Sequence, residues 1–220
     1  IASCLVGSEM CIRDSLIAFD EAHCISKWGH DFRPSYQSVI QKVFTLPQNF
    51  TIVALTATAT AEVQQDIMSK LSIGQNDVVK TSTKRRNLIF KVNPTYQRQK
   101  FVVDYVANHE GQAGIIYCST RKQVEELHEA LNNEKIKSTI YHAGLTNKER
   151  IEAQNDFLYD RVEVVIATNA FGMGIDKSNV RYVIHYNMPG DLESYYQEAG
   201  RAGRDGLKSE CILLFSERDK

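Results

Sequence analysis

Short apolar runs separated by amphipathic stretches set the rhythm of the chain. Leu16-Ile17-Ala18-Phe19 is continuously apolar and runs directly into Asp20-Glu21-Ala22-His23. Such a run suits a strand buried on both faces of a parallel sheet. Val39, Ile40, Val43 and Phe44 recur at helical spacing and stop before Pro47, which predicts a helix over 36–46. Thr51 to Leu55 reads as a second buried strand. Thr56-Ala57-Thr58-Ala59-Thr60 follows at its carboxyl end, and a Thr just ahead of Val63, Ile67 and Leu71 suits a helix N-cap. Val78 to Lys80 reads as a further short strand.

The second half alternates more regularly. Leu88–Val92, Ala113–Cys118, Thr139–Tyr141, Val162–Ala167, Val180–His185 and Ser209–Phe215 carry strand patterns. Phe101, Val102, Tyr105 and Val106 mark a helix between the first two. Thr120 with Gln123, and Thr146 with Glu149, have the spacing of capping boxes that open two more. Strand–helix alternation predicts an α/β fold with parallel sheets covered by helices. The polar stretch Thr81–Asn87 is the best linker, and its run Lys84-Arg85-Arg86 predicts solvated surface.

Composition narrows the classes. The 220 residues allow one large or two modest domains, with 43% hydrophobic and 24% charged residues, as in ordinary globular proteins. A net charge of −1 gives no overall attraction to nucleic acid, so any such contact must come from local patches. The cysteines Cys4, Cys11, Cys24, Cys118 and Cys211 show no paired CxxC spacing, so no zinc site or disulfide framework is expected. No apolar run is long enough for a membrane span, and residues 1–15 lack the features of a signal peptide.

The chemistry concentrates in four stretches. In open parallel sheets ligands sit beyond the carboxyl ends of the strands, where Asp20 and Glu21 fall. Acids at that place in nucleotide hydrolases hold Mg²⁺ and orient water; Asp20 is assigned to the metal and Glu21 to the water. Trp28, His30, Phe32, Arg33 and Tyr36 then crowd a stretch with no clean period, read as a loop. Such side chains stack on bases of single strands at ~1–3 kcal/mol per base; anchoring of Trp28 and Phe32 to the core is the open alternative. Ser119, Thr120 and Arg121 lie where a strand meets a helix, a place suited to phosphate contact through backbone N–H groups. Thr168 follows a buried strand, with Gly172 and Gly174 allowing close backbone approach. Arg201 and Arg204, three apart, are expected to project from one face of a helix end. The plain alternative pairs them with Glu198 and Asp205. His142 is read as a structural histidine.

These stretches resemble one family. DEAHCISKWGHDFRPSY is similar to the second motif and aromatic-rich loop of RecQ-family DNA helicases, and the likeness runs from Leu16 to Ser216. IIYCSTRKQVEEL, VVIATNAFGMGIDKSNVRYVIH and SYYQEAGRAGRDG resemble the fourth, fifth and sixth helicase motifs. The resemblance implies two RecA-like parallel-sheet units, the first incomplete (16–83) and the second complete (84–220), after an unmatched leader (1–15) that resembles sequence-assembly read-through.

As a reading of function, the resemblance implies a fragment of an ATP-dependent 3′→5′ DNA helicase acting in repair and recombination. ATP with Mg²⁺ would be its cofactors, and single-stranded and duplex DNA its partners. Asp20, Glu21, Arg201 and Arg204 would be catalytic, and His23, Gly174, Asp176 and Gln197 would contact nucleotide, Asp176 at the ribose. Trp28, His30, Phe32, Arg33, Ser119 and Thr168 would contact DNA, and Thr56 and Thr58 would couple the two sites. The location would be cytoplasmic in a bacterium, which is favoured, or nuclear in a eukaryote; protein partners are unspecified. No G-x-x-x-x-G-K-[ST] phosphate loop occurs in the sequence, so the chain alone is expected not to hydrolyse ATP. The rival readings are a non-catalytic nucleic-acid-binding module and a DEAD/DEAH-type RNA helicase. Arg86 stands where RecQ relatives carry a Pro before the Asn, and no function is carried onto that junction.

Overall fold

The computed structural model describes residues 16–28, 32–46, 50–81, 84–171 and 175–219. It divides into two compact units, Ile1–Thr83 and Lys84–Lys220.

In the first unit, β1 (Leu16–Phe19) pairs in parallel with β2 (Thr51–Ala54). The helices α1 (Pro34–Phe44) and α2 (Ala61–Leu71) pack over the pair. Pro34 at the first helical position fits α1, since its missing N–H would have no partner there. Thr60 caps α2 by accepting the Val63 N–H. Ile40 and Val43 of α1 and Val63, Ile67 and Leu71 of α2 close a core with Phe19, Ala22 and Ile25.

Three expectations fail in this unit, one of them that Thr51 to Leu55 is a buried strand: no residue of β2 is fully buried, and Leu55 is 54% exposed. Of the four β1 residues only Phe19 is buried, and Leu16 is 55% exposed. Among the described residues β1 pairs with β2 alone, so its apolar run meets a core on one face only. Val78 to Lys80 is not a strand. It follows a 3₁₀ turn at Gln75–Asp77, and no described strand offers it a ladder.

The second unit is built on β3 (Leu88–Pro94), β4 (Ala113–Tyr117), β5 (Ser138–Tyr141), β6 (Val164–Ala167), β7 (Val180–His185) and β8 (Ser209–Phe215). They form a six-stranded sheet in the order β3-β8-β7-β4-β6-β5, with every pairing parallel. Four helices supply the crossovers: α3 (Arg98–Ala107), α4 (Arg121–Asn133), α5 (Asn147–Leu158) and α6 (Leu192–Ala199). The step from β6 to β7 has no described helix.

Strand alternation sorts the core by face. Ile116 and Cys118, with Ile166, Tyr182 and Ile184, pack against Val102 and Val106 of α3 and Val124, Leu127 and Leu131 of α4. Ile115 and Tyr117, with Val165, Ala167 and Val183, pack against Phe157 of α5 and Ala199 of α6. Both faces of the central strands are therefore covered, as parallel strands require, while the outer β3 is exposed over most of its length. At the start of α5, Thr146 and Glu149 make the full reciprocal capping box. Thr120 accepts the Gln123 N–H, but the Gln123 side chain accepts from Ser119 Oγ instead of returning to the cap, so that box is half formed.

Gly114 of β4 stands opposite Tyr182 of β7, and the Tyr182 ring lies over it. A Cβ on Gly114 would sit 1.9 Å from the ring. Gly114→Ala should therefore cost ~1–3 kcal/mol through overpacking, read as a lower thermal midpoint. Combining it with Tyr182→Leu should recover part of that loss, and a full-strength loss in the double variant would place the strain elsewhere.

Candidate functional site

At the carboxyl end of β1 the chain turns sharply. Glu21 adopts the left-handed conformation, φ 49° and ψ 46°, and a 3₁₀ helix over Ala22–Ile25 follows at once. A non-glycine residue held there costs on the order of 1–3 kcal/mol, and such strain gathers at functional sites. Surrounding hydrogen bonds hold the turn. Glu21 N–H donates to Asp20 Oδ1 at 2.9 Å, Ala22 N–H to the Leu55 carbonyl at 2.9 Å, and Tyr36 Oη–H to the Asp20 carbonyl at 3.2 Å. Asp20 and Glu21 remain exposed while Ala22 to Ser26 are buried.

A chain of polar contacts leaves this turn. His23, 3% exposed, places Nδ1 3.2 Å from Glu21 Oε2 and 3.1 Å from Thr56 Oγ1. Thr56 donates its hydroxyl to the Thr58 carbonyl at 3.2 Å and accepts the Thr58 N–H at 3.3 Å. Thr56 Oγ1 is shared between His23 and the backbone of Thr58. The structure thus brings together Glu21, His23, Thr56 and Thr58, which are up to 37 positions apart in sequence. Thr60, not Thr56 or Thr58, is the helix cap.

The aromatic stretch divides. Trp28 is 75% exposed, so it does not anchor the loop to the core, and Arg33 is exposed as well. Phe32 is half-buried. The Arg33 N–H donates to the Cys24 carbonyl at 3.0 Å, which ties the return of the loop to the 3₁₀ helix. His30 and Gly174 lie outside the described residues.

The second unit presents functional candidates at both edges of its sheet. At the carboxyl edge are Ser119, after β4, and Thr168, after β6. Ser119 N–H donates to Asn187 Oδ1 at 3.0 Å, so this amide is already engaged by a side chain beyond β7. Thr168 N–H donates to the Tyr141 carbonyl at 3.1 Å. His142 is buried, accepts the Gly144 N–H on Nδ1 at 3.2 Å and lies 3.6 Å from Glu125.

At the opposite edge, α6 ends at Ala199, and Arg201 and Arg204 sit in the turn that follows, not on the helix. Gly203, with φ 56°, lets this turn reverse before β8. Arg204 Nη1 donates to Asp176 Oδ1 at 2.8 Å and to the Ile175 carbonyl at 3.0 Å, which unites two residues chosen separately from the sequence. Glu198 instead takes His185 Nε2 at 2.8 Å, and Asp205 takes Arg181 at 2.6 Å. The plain pairing of Arg204 with Asp205 is therefore not what the fold makes. Arg181 also holds the Asp205 carboxyl below the ordinary carboxylate range. Gln197 is half-buried on α6.

The basic run is surface-exposed at Lys84 and Arg86, as expected, but not at Arg85. Arg85 is half-buried, and its guanidinium donates to the carbonyls of Ala202 at 3.1 Å and Gly203 at 2.6 Å. Asn87 Nδ2 donates to the carbonyls of Gly203 at 2.8 Å and Leu207 at 3.0 Å. These residues clamp the arginine turn from more than 115 positions away. The basic run marked them in the sequence, but nothing local marked their acceptors.

Two family models match. The DEAD/DEAH box helicase model covers residues 8–67, and the helicase conserved C-terminal domain model covers residues 97–206, half of the chain. The second of these models, which covers half of the chain, places it among the helicases. The chain is 52% identical to the ATP-dependent DNA helicase RecQ of Bacillus subtilis over 93% of its length and 34% of that protein. It is 44% identical to the Pasteurella multocida protein of the same name, over 93% of this chain and 32% of that one. It belongs to the RecQ family of helicases, and it spans about a third of the length of these two relatives. Saccharomyces cerevisiae Dbp5 bound to RNA and ADP BeF3 superposes with a TM-score of 0.70 at 22% identity, over 93% of this chain and 54% of that one, a likeness of fold alone.

Arg85→Met should cost unit two about 2 kcal/mol, since it leaves main-chain acceptors without a charged donor. Amide exchange at Gly203 and Asp205 should accelerate with it. Unchanged protection of those amides would show that the clamp does not hold the turn.

Proposed function

We propose that the chain is the motor portion of an ATP-dependent DNA helicase of RecQ type, moving 3′→5′ on single-stranded DNA and opening duplex DNA in repair and recombination. The observation that carries this reading is the contact chain from Glu21 through His23 to Thr56 and Thr58. It joins the candidate water-activating acid to the segment proposed to couple hydrolysis to movement. Family membership supports the reaction class, and the exposed Trp28 supports a stacking contact with a base.

Each residue then has a task. Asp20, exposed at the carboxyl end of β1, offers the hard oxygen donor that Mg²⁺ takes together with nucleotide phosphates and water. It would hold the ion through water, and the bound ion would neutralise charge on the β- and γ-phosphates. Glu21 orients the attacking water and accepts its proton, while His23 keeps that carboxylate placed and contacts the nucleotide. Asp176 takes the ribose. Arg204, ordered by Asp176, and Arg201 stabilise charge on the transferring phosphoryl group, with Gln197 and Gly174 beside the nucleotide. Trp28, His30, Phe32 and Arg33 contact single-stranded DNA, as do Ser119 and Thr168. Ser119 would do so through its hydroxyl, since its N–H is engaged by Asn187.

Phosphoryl transfer depends on placing the triphosphate, and the 220 residues include no phosphate loop to cradle it. The chain by itself should therefore turn over ATP well below about one per second, even with saturating single-stranded DNA. A coupled phosphate-release assay measures this, and a faster rate would mean that another segment holds the phosphates. When the chain is joined in frame to a phosphate-loop segment, DNA-stimulated turnover should appear. Arg204→Ala in that longer chain should then lower kcat at least a hundredfold (~10²) with KM within a few-fold, as for a group acting in the transition state. Stimulation by RNA in place of DNA would favour the RNA-helicase reading. In the same longer chain, Trp28→Ala should reduce DNA stimulation while leaving the basal rate and the thermal midpoint near wild type. An equal loss of all three would assign Trp28 a structural role.

A further inference from the structure

Asp66 and Lys70 lie one turn apart near the end of α2. Lys70 Nζ donates to Asp66 Oδ2 at 2.7 Å and to the Ile25 carbonyl at 3.0 Å. Ile25 closes the 3₁₀ helix behind Glu21, and the next residue, Ser26, is fully buried. Ser26 Oγ accepts the Trp28 N–H at 3.2 Å. The segment that Lys70 holds at Ile25 is therefore tied, one residue on, to the backbone of Trp28.

This pair differs from the other charge pairs at the same spacing. Lys122 with Glu126 and Lys148 with Glu152 are 3.6 and 3.8 Å apart, with lysine side chains 83% and 86% exposed. Such pairs are solvated and contribute little. Lys70 and Asp66 are 26% and 24% exposed, and Lys70 turns toward a carbonyl 45 residues back in the chain. A charge-assisted bond from a partly buried ammonium to a main-chain carbonyl is among the stronger contacts available. Burial would raise the Asp66 carboxyl, but the Lys70 ammonium, with the polar Ser26 side chain, outweighs it and holds the group below its ordinary value.

We infer that Lys70 and Asp66 are positioning residues for the aromatic loop, fixing Ile25 and Ser26 to the end of α2 so that Trp28 moves with that helix. The other end of α2 begins at Thr60, just past Thr56 and Thr58. The helix is thus a rigid strut between the threonine segment and the root of the loop, parallel to the His23 contact that reaches the acidic turn. The functional consequence rests on the reading of Trp28 as a nucleic-acid contact; the latch itself does not.

Trp28 is the chain's one tryptophan, so its fluorescence reports the loop directly in the chain as it stands. Lys70→Met should roughly double the amplitude of nanosecond depolarisation at Trp28, and Lys70→Arg, which keeps the donor, should restore the wild-type value within about a fifth. Asp66→Asn, a milder change, should move the amplitude in the same direction and serves if Lys70→Met does not fold cooperatively. Unchanged depolarisation in a folded Lys70→Met, or in Asp66→Asn where Lys70→Met does not fold, overturns the latch, because a merely stabilising pair would lower the thermal midpoint alone. A labelled oligothymidylate at low salt supplies the second reading. Its affinity should fall about threefold in Lys70→Met and recover in Lys70→Arg, a change small beside the stacking contribution of a base. Altered depolarisation with unaltered affinity sustains the latch and overturns the DNA reading of Trp28.

Discussion

An all-parallel sheet is entered from the same side by every strand, so each connection must cross the full length of the sheet. In the second unit this constraint decides where chemistry can sit. Residues that leave a strand, such as Ser119 and Thr168, emerge at the carboxyl edge. Residues about to enter one, such as Asp176 before β7 and Arg201 and Arg204 before β8, lie at the amino edge. The two edges are joined by the central strands β4, β6, β7 and β8, whose side chains are almost wholly buried, while the outer β3 is mostly exposed. Such close-packed layers transmit displacement rather than absorb it. A single rigid slab can therefore carry one class of contact on each rim.

The arginine turn shows how the amino edge is kept in order. A turn of this length has few backbone partners of its own, and its carbonyls must be satisfied from elsewhere. Arg85 and Asn87, entering β3, supply donors to Ala202, Gly203 and Leu207. Arg181, in β7, grips Asp205. With the main chain held by those side chains, Arg204 meets Asp176 through a short ion pair. That pair is exposed, so its own contribution to stability is small; its effect is to place two groups at one spot.

In the first unit the ordering device is a strained turn over a small core. Glu21 in a left-handed conformation aims a carboxylate outward while the next residues, Ala22 to Ser26, are buried. The buried His23 and the Lys70–Asp66 pair grip this short segment from two directions. One side leads to Thr56 and Thr58, the other to α2 and thence to Trp28. Both paths meet within five residues of the acidic pair, which keeps the distance between candidate chemistry and candidate nucleic-acid contact short.

Hydrophobic period, capping residues and motif order were legible in the sequence alone, because they depend on neighbours a few positions away. They located β1, β2, the six strands of the second unit, the Thr146–Glu149 cap and the family. They also named Asp20, Glu21, Trp28, Asp176 and Arg204 as residues worth attention. Tertiary structure alone decided that Leu16–Phe19 is buried on one face, that Val78–Lys80 has no strand to pair with, and that Arg201 and Arg204 lie beyond their helix. It alone showed Arg204 with Asp176, Arg85 clamping the turn, and Lys70 reaching Ile25. Apart from the end of α6, each of these rests on a partner 28 or more positions distant or on the number of strands a sheet acquires. A local window registers that a residue is charged or apolar, but the group that satisfies it is chosen only when the chain has closed on itself.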